Sequence, residues 1–268
     1  MKRAAFLLVA ALLATVLTGS RPPAASATIS GAAPRFLFLG DSIMWQQCSG
    51  PAQQVSPDAG GWFIDRDGGC HGWSGATVAD IAFEVQGGRF LSNGPGQPHP
   101  YFPNRGLANV WSLREAMDRA DAWVIGLGTN DANRRTSCKE IGPQTPWPIQ
   151  ISRPAADGGD TVPCQLTDQQ FRDHIAFFMW LAAGRPVYWY DVGVTNPDDP
   201  AAAHQDEINA QLWLATSRYP NLHVIPWSRL TAEHPEYVRD GVHLSEAGGV
   251  ARWQALRAAL NGCGVRTG

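Results

Sequence analysis

Four short apolar runs, separated by stretches with helical spacing, recur along this chain: Arg35 to Leu39, Ala122 to Leu127, Pro186 to Tyr190 and Leu222 to Ile225. A weaker strand candidate lies near Gly61 to Ile64. Helical spacing is visible in Ala76 to Val85, Ser112 to Ala120, Thr167 to Ala183 and Ala201 to Arg218, and a last helix is expected from Ser245 to Leu260 with Ser245 as its N-cap. This alternation is the pattern of βαβ units, which build a parallel sheet and place the chain in the α/β class.

The N-terminus carries Lys2 and Arg3, an apolar run from Ala4 to Leu17, and the small residues Ala25-Ser26-Ala27. That is the layout of a secretory signal peptide over residues 1–27, and the apolar run falls short of the roughly 20 residues that span a bilayer. The expectation is a secreted chain of residues 28–268, long enough for one buried α/β domain and without a linker or internal repeat to split it. Losing residues 1–27 removes Lys2, Arg3 and Arg21 and no acid, which takes the formal charge from −3 to −6. Nucleic acid and anionic membrane surfaces require clustered Lys and Arg, so neither is an expected partner.

An exported chain can keep disulfides. Of the five cysteines, Cys48 and Cys70 fall in segments placed at one sheet edge, and Cys138 and Cys164 bracket one long loop. Those pairings are preferred among the three that four cysteines allow, with Cys263 left over. No CxxC or HxxxH spacing occurs, so no metal is expected. Residues 131–165 carry Pro143, Pro146, Pro148, Pro154 and Pro163 and read as a long loop that a Cys138–Cys164 bridge would close at its base. Residues 91–106 form a second irregular stretch.

Ester hydrolysis at a serine needs a hydroxyl at a strand end, a base for its proton, a group to hold the base, and donors for the oxyanion. Ser42 follows the first strand in Gly40-Asp41-Ser42, although Gly-Asp-Ser is also an ordinary turn sequence. Asp240 and His243, three residues apart in Asp240-Gly241-Val242-His243, can orient toward each other on one turn; a surface turn is the competing reading. Their place after the last strand returns the chain to the edge that carries Ser42. Asn130, in Gly128-Thr129-Asn130-Asp131 after the strand Ala122 to Leu127, can donate at the same edge, or bond its own backbone as a turn residue. Gly75, before the helix that opens at Ala76, offers either a backbone N–H for an anion or merely a tight turn.

Together the Gly-Asp-Ser block, a glycine before a helix, Gly-x-Asn-Asp after the central strand and Asp-x-x-His before the last helix resemble, in order, the four blocks of the SGNH or GDSL-like hydrolases. The resemblance spans Gly40 to His243. It implies a three-layer α/β/α sandwich with a flavodoxin-like, five-stranded parallel sheet in the order 2-1-3-4-5. It also implies Ser42 as nucleophile, His243 as base and Asp240 as orienting acid. The backbone N–H of Ser42, Gly75 and Asn130 would form the oxyanion hole. The first block here reads Gly-Asp-Ser-Ile with Met44 following, a departure from the family's Gly-Asp-Ser-Leu.

Trp45, Trp62 and Trp73 flank Ser42 and Gly75 and can wall a substrate pocket or pack the core. Arg134 and Arg135, just past Asn130, can bind a substrate anion or line a solvated loop. The remaining histidines show no partner spacing. The expected activity is hydrolysis of a small-molecule, lipid or glycan ester without a cofactor, by a monomer not inserted in a membrane. The alternatives are a carbohydrate O-acetylesterase or O-acyltransferase acting on cell-envelope or plant glycans, and a non-catalytic cell-wall binding module.

Overall fold

The computed structural model describes residues 35–49, 70–72, 78, 81, 113–133 and 168–263. Five parallel strands make one sheet: β1 (Phe36–Gly40), β2 (Cys70–Gly72), β3 (Ala122–Gly126), β4 (Val187–Tyr190) and β5 (Leu222–Ile225), in the order β2-β1-β3-β4-β5. The described helices are α1 (Ser42–Ser49), α2 (Leu113–Arg119), α3 (Thr129–Asn133), α4 (Asp168–Ala182), α5 (Gln205–Arg218), α6 (Trp227–Glu233) and α7 (Glu246–Gly262). Four strands and the helices α2, α4, α5 and α7 lie where the apolar runs and the helical spacing place them, with α5 starting at Gln205 rather than Ala201. The strand beside β1 is Cys70–Gly72, and the candidate at 61–64 lies outside the described residues.

Every residue of β1, β3 and β4 is buried, which is why these segments read as unbroken apolar runs instead of alternating ones. Successive side chains still point to opposite faces. Leu37, Leu39, Trp123, Ile125, Val187 and Trp189 join one core cluster with residues of α2, α4 and α5. Phe36, Phe38, Ala122, Val124, Tyr188 and Tyr190 join a second cluster with residues of α1, α6 and α7. The result is the α/β/α sandwich, with its five-stranded parallel sheet in the 2-1-3-4-5 order.

Two local features fix the ends that matter. Gly40 closes β1, and a Cβ there would collide with the Met44 Cβ and sit 2.6 Å from the Gly126 carbonyl, so only glycine lets α1 turn back this tightly on the sheet. At the start of α7, the Ser245 hydroxyl accepts from the Gly248 N–H at 3.1 Å, the N-cap expected from the sequence. Cys48 on α1 is buried and disulfide-bonded, and α1 packs against β2, which carries Cys70. Cys263 is a free, exposed thiol with its Sγ 3.5 Å from the His223 Nδ1. Cys138, Cys164, most of the 131–165 loop and the 91–106 stretch lie outside the described residues. Among those residues, no helix is long and apolar enough to cross a membrane, and no cluster of metal-ligating side chains occurs.

His174 sits in α4 with its ring buried and neither nitrogen hydrogen-bonded among the described residues. Burial disfavours its charged form and outweighs the opposing pull of Asp173, lowering its pKa from 6.5 to about 4. A group depressed on folding stabilises the native state above its unfolded pKa, and that contribution fades as pH falls from 6.5 toward 4. At about 1.4 kcal/mol per pKa unit the loss approaches roughly 3 kcal/mol. In urea denaturation of wild type and His174→Leu, the stability of wild type relative to the variant is expected to fall by about that amount between pH 7 and pH 4; parallel curves would contradict it. Gly40→Ala is expected to destabilise the fold by about 3 kcal/mol, the upper range for overpacking, read as a fall in the urea midpoint.

Candidate active site

The site lies at the carboxyl ends of β1 and β3, the edge at which open parallel sheets present ligand-binding groups. Leaving β1 at Gly40, the chain passes Asp41 and enters α1 with Ser42 as its first residue. Ser42 is therefore held at a helix start, half-buried, directly above the sheet. Its Oγ lies 3.2 Å from the His243 Nε2, across 201 positions of sequence.

The partner loop is organised locally. The Asp240 Oδ1 accepts from the backbone N–H groups of Val242, at 3.0 Å, and His243, at 2.7 Å. The Asp240 Oδ2 lies 2.8 Å from the His243 Nδ1. Gly241, between them, adopts φ +85°, and a Cβ there would collide with Asn196, so the turn requires glycine. The partial burial of Asp240 raises its pKa, but the His243 N–H, the imidazole and the Val242 N–H together outweigh it and hold the carboxyl at about 2. Asp240 is thus an anion around neutral pH, hydrogen-bonded to the edge of the ring remote from the Nε2 that faces Ser42.

A second carboxylate behaves oppositely. Asp41 is 1% exposed; its Oδ1 accepts from the Ile43 N–H at 2.9 Å and its Oδ2 from the Asn130 Nδ2 at 3.3 Å. Burial raises its pKa to about 6, against the lowering effects of the Ile43 N–H and of the Arg252 and His243 charges. Asp41 thereby orients the amide of Asn130, which stands in the first turn of α3 just beyond β3. Its neighbour Asp131, also buried, accepts from the Val78 N–H through both oxygens, at 3.2 and 3.1 Å, tying α3 to the helical segment after Gly75.

The structure brings Ser42, His243 and Asp240 together in a hydrogen-bonded row and sets Asn130 beside Asp41 at the same edge. Trp45, one turn past Ser42 on α1, is 39% exposed. Gly75, Trp62, Trp73, Arg134 and Arg135 lie outside the described residues. Sequence reasoning assigned no role to Asp41, Asp131 or Gln46, although acidic residues flanking a strand-end serine or asparagine are a signal that could have found the first two. Nor did it find partners for the other histidines: His234 Nδ1 lies 3.1 Å from the Glu236 Oε1, and His204 Nδ1 lies 3.6 Å from the Glu207 Oε2.

Neither a protein-family model nor a curated protein matches the sequence. Solved structures do match its fold. The C-terminal catalytic domain of Streptococcus pneumoniae peptidoglycan O-acetyltransferase A aligns with a TM-score of 0.50 at 13% identity, over 87% of this chain and 96% of that one. Axe2, an acetylxylan esterase from Geobacillus stearothermophilus, aligns with a TM-score of 0.50 at 15% identity, over 89% of this chain and 99% of that one. With its strand order, its two helical layers and these alignments, the chain has the SGNH hydrolase fold.

Proposed function

We propose that the chain is a secreted serine hydrolase of carboxylic acyl esters, with Ser42 as nucleophile, His243 as general base and Asp240 as the group that orients it. The observation that carries this reading is the continuous row from the Ser42 Oγ to the His243 Nε2 at 3.2 Å and from the His243 Nδ1 to Asp240 at 2.8 Å. In the first step the Ser42 oxygen attacks the acyl carbon and its proton passes to the His243 Nε2. As the carbon–oxygen bond to the alcohol breaks, His243 returns that proton to the leaving alkoxide, and the acyl group stays on Ser42. Water then attacks the acyl carbon, His243 takes its proton, and the tetrahedral intermediate collapses to release the acid and the serine hydroxyl, which regains a proton from His243.

The negative charge on the tetrahedral oxygen falls to donors at the strand edge: the Asn130 amide, the backbone N–H of Ser42 and that of Gly75. Support for Asn130 comes from Asp41, which holds its amide. Trp45, Trp73 and Arg134 are the proposed walls of the substrate pocket. The remaining elements of the proposal are a leader over residues 1–27, a hydrolase domain over 28–268, a Cys48–Cys70 bridge, a monomer, and no nucleic-acid partner.

A second reading is favoured by the two aligned structures, whose names specify O-acetyl transfer to peptidoglycan and acetylxylan hydrolysis. On that reading the acyl group is acetyl and the alcohol a glycan, and the acyl-enzyme is resolved by water or by a sugar hydroxyl. Comparing acetyl with longer p-nitrophenyl esters and acetylated xylan, with and without oligosaccharide acceptors, separates the two readings.

Ser42→Ala is expected to abolish ester turnover and labelling by an organophosphate, both read against wild type; undiminished activity in that variant refutes the proposal. Asn130→Ala is expected to lower kcat by about 100- to 1000-fold with the fold intact by circular dichroism. Asp240→Ala is expected to lower kcat by roughly 100-fold or more, since it removes the group that holds the ring. Because the Asp240 carboxyl is held at about 2, its charge is expected not to change between pH 4 and 7, so a fall of kcat in a pH–rate profile over that range belongs to another group.

A further inference from the structure

We propose that Gln46 is a positioning residue that keeps His243 in register while Ser42 is acylated. The proposal rests on the two-step serine mechanism above and concerns its second half. Gln46 stands four residues after Ser42, one turn along the same face of α1, and is half-buried. Its side-chain Oε1 accepts from the Leu244 N–H at 3.0 Å, linking positions 198 apart. Leu244 is the residue after His243.

The loop bearing His243 is closed on itself. Val238 and Leu244 form an antiparallel bridge, the Arg239 N–H donates to the His243 carbonyl at 2.9 Å, and Asp240 bonds both the backbone and the ring of His243. It is tied to the segment after β4 by the Thr195 N–H, which donates to the Gly241 carbonyl at 2.8 Å, and among the described residues the Ser42–His243 and Gln46–Leu244 hydrogen bonds join it to α1. These two contacts differ chemically. Once the Ser42 oxygen carries an acyl group it has no proton to share with the His243 Nε2, and the imidazole must face the incoming water instead. The Gln46 contact involves no reacting atom and persists through both steps.

Removing the acceptor strips the loop of that contact at the stage when the serine contact is absent as well. A misplacement of about 1 Å in a reacting group costs on the order of 100-fold in rate. Acylation, in which the Ser42–His243 bond still aligns the ring, suffers less than deacylation. The effect on the two steps is therefore unequal, which a general loss of packing does not produce.

The test is stopped-flow hydrolysis of p-nitrophenyl acetate by the whole protein as wild type, Gln46→Met, Gln46→Ala and Gln46→Glu, with the melting temperature of each. Gln46→Met keeps the bulk and loses the acceptor, Gln46→Ala loses both, and Gln46→Glu keeps an acceptor oxygen. The expected result is a deacylation rate lowered roughly tenfold or more in the Met and Ala variants, a burst rate changed less than about threefold, and acyl-enzyme accumulating by intact mass. The Glu variant is expected to recover most of the deacylation rate. Equal slowing of both steps, no slowing, or a Glu variant as defective as the Met variant overturns the proposal. If instead the wild type neither turns over esters nor takes an organophosphate, the serine mechanism itself fails, an outcome distinct from any of these.

Discussion

His243 reaches Ser42 because the last helix is buried against the first strand. Trp253 of α7 meets Phe38 of β1 edge-on, with ring centroids 5.4 Å apart, and Leu256 and Leu260 extend the contact into the cluster that also holds Ile43 and Met44 of α1. Into this apolar layer the chain puts a cation. The Arg252 guanidinium lies 3.6 Å from the centroid of the Tyr190 ring, and its Nε donates to the Gln47 Oε1 of α1 at 2.8 Å. Taking an arginine out of water costs several kcal/mol unless its donors and charge are answered. Here the Tyr190 ring, Gln47 and the facing charges of Asp41 and Asp191 answer it, while Tyr190 donates its hydroxyl proton to the Arg252 carbonyl at 2.8 Å. Burial pulls the pKa of Arg252 down, and the same burial pushes the Tyr190 hydroxyl up to about 12. Three elements, α1, β4 and α7, are thereby locked in one arrangement, and the turn carrying His243 emerges from it.

Above that layer, two aspartates of identical chemistry are put to different uses by their surroundings. Asp41 is enclosed, and burial outweighs its donors and the Arg252 charge, so its proton is held to about pH 6. Asp240 is half-exposed, with three donors from its own turn, and it ionises near pH 2. The first sets an amide at the edge of the sheet; the second sets an imidazole.

The strand order explains why the pieces are neighbours at all. With β3 central and β1 beside it, the residues that follow each strand leave the sheet side by side, so Asp41 and Asn130 meet although 89 positions separate them. A fold of this kind hosts different chemistries through the loops above its sheet, so the fold sets the edge and not what is recognised there.

Much of this was legible in the sequence where the physics is local. Strands buried on both faces announce themselves as apolar runs. Ser245 caps the helix that follows it, and an Asp and a His three apart close a turn through the backbone of that same turn. The elements that escaped are those with no local signature. β2 is three residues, Cys-His-Gly, and is a strand only because β1 supplies its hydrogen bonds. The eight residues of α1 are too few to be helical alone, and they hold because Gly40 lets Met44 pack onto the sheet. By itself, then, the sequence determined the class of fold, the identity of the candidate hydroxyl, imidazole and carboxylate, and the geometry of the Asp240–His243 turn, since short-range sterics and hydrogen bonds suffice for each. The tertiary structure alone decided that Ser42 lies 3.2 Å from His243, that Asp41 holds Asn130, that Gln46 reaches Leu244 and that Arg252 is buried over Tyr190. Those contacts join residues dozens to hundreds of positions apart, and only the packing of whole elements against one another sets such distances.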